Sequence, residues 1–156
     1  MVNRPDYIRP ARLAHVLWVS RRMRAEHARE VGETTVLSLG DAAAASFGHS
    51  VVSYTIFGGG RAVFVMGVLP AGILTAAAEV WMVGTRDIDR FPARVLRAAR
   101  WGVGEAYRAT GAARLEQWIP EWYETGLRFV ERLGFKRRND SGLIHVVHEK
   151  RNDGWA

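Results

Sequence analysis

The stretch from Glu79 to Phe135 constrains this chain more than any other. It reads as strand (EVWMVG, 79–84), turn (TRDIDRF, 85–91), helix (PARVLRAARWGVGEAYRATG, 92–111), strand (AARLEQWI, 112–119) and helix (EWYETGLRFVERLGF, 121–135). Two apolar strands joined by one long helix form a βαβ crossover, which obliges the strands to lie parallel in one sheet. The rest of the chain must complete that sheet and cover it. In the first of these helices Pro92 takes a first helical position, where its missing N–H costs nothing. Val95, Leu96, Ala99, Val103 and Ala106 then face the sheet, with Arg94, Arg97, Arg100, Glu105 and Arg108 mostly turned away. Gly102 and Gly104 are each disfavoured by about 1 kcal/mol relative to alanine, so a close approach is expected there. The second helix stops at Gly134, followed by Phe135 as a packing contact.

Upstream, Tyr7 and Ile8 suggest a brief strand, and residues 11–31 carry a helical stripe that Gly32 is expected to end. Asp41 is expected to cap a short helix running through Phe47 to Gly48. Residues 51–57 and 61–69 read as a hairpin around Gly58, Gly59 and Gly60. Downstream, LIHVVHE (143–149) is a last strand, giving a single domain over 1–149 and a tail over 150–156. The stretch 61–84 has the length of a membrane span, but Gly67, Pro70, Gly72, Thr75 and Glu79 divide it into strands. No membrane span and no signal peptide are therefore expected. The absence of cysteine in all 156 residues excludes disulfides, thiolate metal sites and cysteine catalysis. His15 and His27 read as helix-surface or boundary residues, and His145 and His148 point to opposite strand faces, so no metal site is expected.

The chain carries 22 Lys+Arg against 16 Asp+Glu, a net charge of +6, and its cations are nearly all arginine. Forked guanidinium groups suit phosphates, carboxylates and acidic partners, and equally a solvated surface.

Helices first, then β, β, β, α, β, α, β, is an α+β order that resembles the GNAT family of acyl-CoA-dependent N-acyltransferases. FVERLGFKR is similar to that family's tyrosine-acid-lysine-leucine-glycine-phenylalanine ending of the last helix. A closer resemblance, carried by FVMGVLPAGILTAAAEVWMVGTRDIDRF, is to the small GNAT-like proteins of tailed bacteriophages, among them an internal virion protein. The resemblance implies a mixed β-sheet with N-terminal helices and two helices flanking a central parallel strand pair. It also implies that strands 80–83 and 113–118 diverge to admit a pantetheine arm.

Carried over residue by residue, the resemblance places acetyl-CoA, if the protein is catalytic, against Met82, Val83, Gly84, Thr85, Arg86 and Arg90. The family's glycines are missing from that turn, and Asp87 and Asp89 stand where phosphates would come, so weak or absent acetyl-CoA binding is expected. The family's helix tyrosine falls on Val130, which cannot transfer a proton. Tyr123 is a candidate in its place, and Glu79 is a candidate general base, with Glu116 an alternative.

Three readings follow. A non-catalytic or weakly catalytic phage protein would work through contacts with other phage or virion proteins, with Trp118, Trp122 and Trp155 as candidate interface residues. Its setting would be the virion or the host cytoplasm during infection, and otherwise the cytoplasm. An acetyl-CoA-dependent N-acyltransferase with an atypical pyrophosphate loop is the second reading. A basic nucleic-acid-binding protein is the third, although no nucleic-acid-reading motif is present.

Overall fold

The computed structural model describes residues 3–34 and 37–151. Seven strands form one sheet: β1 (Ile8–Pro10), β2 (Val52–Gly58), β3 (Arg61–Val68), β4 (Ala77–Gly84), β5 (Arg114–Pro120), β6 (Lys136–Arg137) and β7 (Leu143–Glu149). Their order is β1-β2-β3-β4-β5-β7-β6, with every pair antiparallel except β4 and β5. The parallel pair comes from the crossover helix α4 (Pro92–Thr110), as the sequence requires. Gly59 and Gly60, with φ of 57° and 76°, make the two-residue turn that returns β2 into β3.

The helices divide between the two faces. On one, α4 and α5 (Glu124–Arg132) press Ala99, Ala106, Leu127 and Val130 onto Val68, Ala78, Leu115 and Ile119. On the other, α1 (Leu13–Ser20) and α3 (Leu39–His49) set Val16, Val19 and Ala43 against Val65 and Val83. α5 ends as its sequence predicts. Gly134 is left-handed at φ 101°, and the buried Phe135 donates its N–H to the Val130 carbonyl at 3.1 Å. A Cβ on Gly102 would lie 2.7 Å from Met66 Sδ, so the sheet makes the close approach there, whereas Gly104 faces open space.

Several expectations are corrected. The single helix over 11–31 is two, α1 and α2 (Ala25–Thr34), because the backbone between them is used elsewhere. Met23 bridges to Thr85, and Arg24 donates its N–H to the Gly84 carbonyl at 3.0 Å. Gly32 lies inside α2, and Gly48 inside α3, so neither ends its helix. Ser38 caps α3 in place of Asp41; the two residues bond reciprocally, Asp41 N–H to Ser38 Oγ at 3.2 Å and Ser38 hydroxyl to Asp41 carboxylate at 2.7 Å. Finally, the parallel ladder joins Ala77–Glu79 to Arg114–Glu116 and does not extend over 80–83.

Candidate functional site

Past the Glu79–Glu116 pair the two parallel strands separate, while β3 continues to pair with β4 as far as Gly84. Strand alternation settles what faces the gap. Thr85 N–H goes to the Val63 carbonyl and the Glu79 carbonyl accepts from Leu69, so the odd-numbered peptides of β4 bond β3. The even-numbered peptides are therefore directed at the gap. α2 takes up the last of them: the Gly84 N–H donates to His27 Nδ1 at 2.9 Å, and its carbonyl accepts from Arg24. The Met82 peptide, two residues earlier, is left on the open edge.

Two hollows meet at this gap from opposite faces of the sheet. One, of about 370 Å³, lies on the α4/α5 side and is largely apolar, walled by Phe64, Ile88, Leu96, Ile119 and Phe129, with Arg24, Tyr123 and Arg132 among its polar groups. The other, of about 430 Å³, lies beneath α2 and α3 and is walled by Ala42, Ser46, Glu79, Trp81, Trp118 and Leu143. His27, Glu30, Met82 and Gln117 line both.

These shared residues carry unusual chemistry. Burial pushes the Glu30 carboxyl up to about 7, so it exchanges a proton near neutrality. Burial depresses His27, and an imidazole accepting the Gly84 N–H on Nδ1 is held neutral with its proton on Nε2. Gln117 is 9% exposed, and its Oε1 is buried without a hydrogen-bond partner. An orphan acceptor of this kind is costly unless a ligand answers it.

Tyr123 caps the start of α5 and lines the apolar hollow, its ring edge-on to His27 at 5.7 Å. Burial raises its phenol, which keeps the hydroxyl protonated. A Cβ on Gly126 would stand 2.6 Å from the Tyr123 ring, so glycine there is what lets the ring lie over the helix start.

Glu79 lines the second hollow, on the same sheet face as its register partner Glu116, and burial followed by the Glu116 charge raises its carboxyl. Glu116 accepts from or pairs with His145 Nε2 at 3.0 Å, and His145 stacks on Trp118 with ring centres 4.6 Å apart. Met82 and Gly84 border the gap, whereas Val83 is buried against the α1 side. Thr85 caps a 3-10 turn over Arg86–Arg90 by accepting the Asp87 N–H at 3.2 Å. Arg86 is exposed; Arg90 reaches Asp87 at 4.0 Å, and Arg24 reaches Asp89 at 3.2 Å, so each aspartate of the turn has a cation.

Of the three tryptophans, Trp118 is 36% exposed at the second hollow. Trp122 works within the fold: its indole donates to Glu33 at 2.6 Å, Arg29 lies 3.9 Å over its ring, and it stacks on Tyr123. Trp155 lies outside the described residues. The sequence did not single out Glu30 or Gln117, and it set His27 at a helix surface or boundary although His27 is buried. Charged residues inside an otherwise amphipathic pattern carry no local mark of where the helix will dock.

No family model and no curated protein matches the sequence. Solved structures do. The GNAT domain of S. lividans PAT is 14% identical, with 92% of this chain and 89% of that chain covered and a TM-score of 0.63. The aminoglycoside acetyltransferase AAC(6')-Ib in complex with coenzyme A is 11% identical, with 92% and 94% covered and a TM-score of 0.67. At these identities the likeness is one of fold, and the chain has the GNAT-like fold. Among the described residues no helix is long and apolar enough to cross a membrane.

Proposed function

We propose that the protein transfers an acyl group from an acyl-CoA thioester to an amine. The observation that carries this reading is the meeting of two hollows, from opposite faces of the sheet, around Glu30. A two-substrate transfer needs that arrangement: each reactant enters by its own route, and the reacting atoms meet across a gap one strand wide.

The residues present suit a coenzyme A thioester. The gap edge offers the Met82 peptide to an extended, amide-bearing arm, in the manner of an added strand. The apolar hollow fits a thioester and its alkyl arm. For phosphates there are Arg24, Arg132 and the start of α4, and Arg132 also borders a basic hollow with Arg100, Lys136 and Arg138. Ion pairing of Asp87 and Asp89 offsets the charge that argued against binding in the sequence. The thioester supplies an activated acyl carbon.

The chain's own groups do the rest. Glu30, poised near neutrality, takes a proton from the attacking nitrogen as the N–C bond forms and the C–S bond breaks. Tyr123, held protonated, donates a hydrogen bond on the apolar side, where Val130 is buried core. The products are an amide and a free thiol: the leaving thiolate takes a proton from solvent, and Glu30 returns to solvent the one it took from nitrogen, so the proton balance closes.

The virion reading rested on the phage resemblance and on a degenerate turn, and an open two-sided cleft favours catalysis over it. Calorimetry with acetyl-CoA together with thiol release in the presence of amines tests the proposal. Micromolar binding with turnover that collapses in Glu30→Gln, binding retained, is expected; no binding of acetyl-CoA would overturn it.

A further inference from the structure

The hollow beneath α2 and α3 differs in charge from the molecule around it. The chain carries a net charge of +6, yet no arginine or lysine is among the described residues lining this hollow, while Glu30 and Glu79 are. Glu116 stands beside Glu79 in register, which concentrates negative charge where the two parallel strands begin to part. Trp118 lies two residues further along β5, and Trp81 is held in place by its indole N–H donating to Ser50 Oγ at 2.7 Å. Carboxylates beside indole rings make an environment for ammonium groups. Gln117 alternates with Glu116 and Trp118 along β5, so its side chain turns to the other face of the sheet, beside Ile119, where its buried Oε1 has no hydrogen-bond partner.

Counting charge narrows the class of acceptor. The two acidic stations are distinct: Glu30 borders both hollows, at the gap, whereas Glu79 borders only the second. Glu30 takes its proton from the reacting nitrogen as the N–C bond forms, so that station calls for no second cation. Glu79 and Glu116 then remain, with His145 at Glu116 and Arg114 two residues before Glu116 on the same strand face. A substrate bearing a carboxylate near its amine would meet repulsion there, and a simple monoamine would leave the outer station unanswered.

Resting on the acyl-transfer reading, we propose that the acceptor is a diamine or polyamine-like cation: its reacting nitrogen lies at Glu30, at the gap, and a second ammonium lies at Glu79, Glu116 and Trp118. Glu79 is thereby a specificity-determining residue and not the base. Because its carboxylate lies on an accessible wall, the discrimination it supplies is modest, about tenfold.

The test titrates the intact chain with 1,4-diaminobutane and with butylamine by calorimetry at fixed ionic strength, without any acyl donor. The diamine is expected to bind about tenfold more tightly, and Glu79→Gln to bring it to the level of the monoamine while leaving monoamine binding unchanged. Equal affinities, no binding of either amine, or a preference that survives Glu79→Gln would overturn the inference. In turnover, Glu79→Gln is expected to raise KM for the diamine with kcat little changed. Diamine binding without acetyl-CoA binding would sink the acyl-transfer reading alone, and equal turnover of both amines would sink this inference alone.

Discussion

The two hollows share four residues and differ in almost everything else. The one under α4 and α5 is apolar, with arginines at its border; the one under α2 and α3 is acidic, flanked by tryptophans, and has no lysine or arginine among its described walls. One parting of two strands thus serves two chemistries, because a β-strand presents alternate side chains to opposite faces. Ala78, Val80 and Met82 look toward one hollow's side of the sheet, and Glu79 and Trp81 toward the other. Glu30 reaches both, since α2 lies across the end of β4 and is tied there through His27 and Arg24.

The strongest way to break this contrast is at the shared residue. Glu30→Gln is expected to lower kcat by about 10²- to 10³-fold with acyl-CoA binding retained, read by thiol release. Activity of the unaltered chain should rise as pH passes through about 7, where Glu30 loses its proton, and the variant should lose that limb. A Glu79→Gln variant with the same kcat loss would exchange the roles assigned to the two hollows.

The same carboxyl affects stability with a definite sign. Its folded pKa is raised, so its favourable contribution is complete below the unfolded value and is lost as pH rises through about 7. Thermal unfolding of Glu30→Gln is expected to show a higher Tm than the unaltered chain at pH 8 and little difference at pH 5.

On the apolar side, Gly126→Ala should displace Tyr123, because the added Cβ would meet the ring at 2.6 Å. A fall in kcat of about tenfold, reproduced by Tyr123→Phe, would tie the effect to the hydroxyl; full activity in both would remove Tyr123 from the reaction.

Smaller effects belong to the charged turn. Arg24→Ala leaves Asp89 without its cation, and acetyl-CoA affinity measured by calorimetry should fall about fivefold; Asp89→Asn should raise it about twofold, with both changes shrinking at high salt. The least effect is expected from Trp122→Phe, which loses the indole bond to the exposed Glu33 and should lower Tm slightly without altering kcat.

Much of the α4–α5 half was legible in the sequence. Proline at the start of α4, apolar spacing along it and the Gly134-Phe135 ending are local signals, and they placed both helices and the parallel sense of β4 and β5 correctly. The N-terminal half was not read as well. Residues 21–24 keep a helical pattern, yet their backbone is drawn into contact with Thr85 and Gly84, more than fifty residues away in the chain. Helical periodicity records which side chains are apolar, and cannot record that a distant strand end needs hydrogen-bond partners.

What the sequence by itself determined is therefore the scaffold: a crossover that makes two strands parallel, an antiparallel hairpin beside them, and helices with one apolar side each. Only the tertiary structure decided where the strands stop pairing, and that α2 docks across the Gly84 end of the resulting gap. That docking half-buries Glu30 one turn from His27 and leaves Gln117 Oε1 without a hydrogen-bond partner, which a charge on a helix pattern cannot announce. The physical reason is that a carboxyl's acidity is set by the water removed from around it, and desolvation exists only once distant segments have packed together.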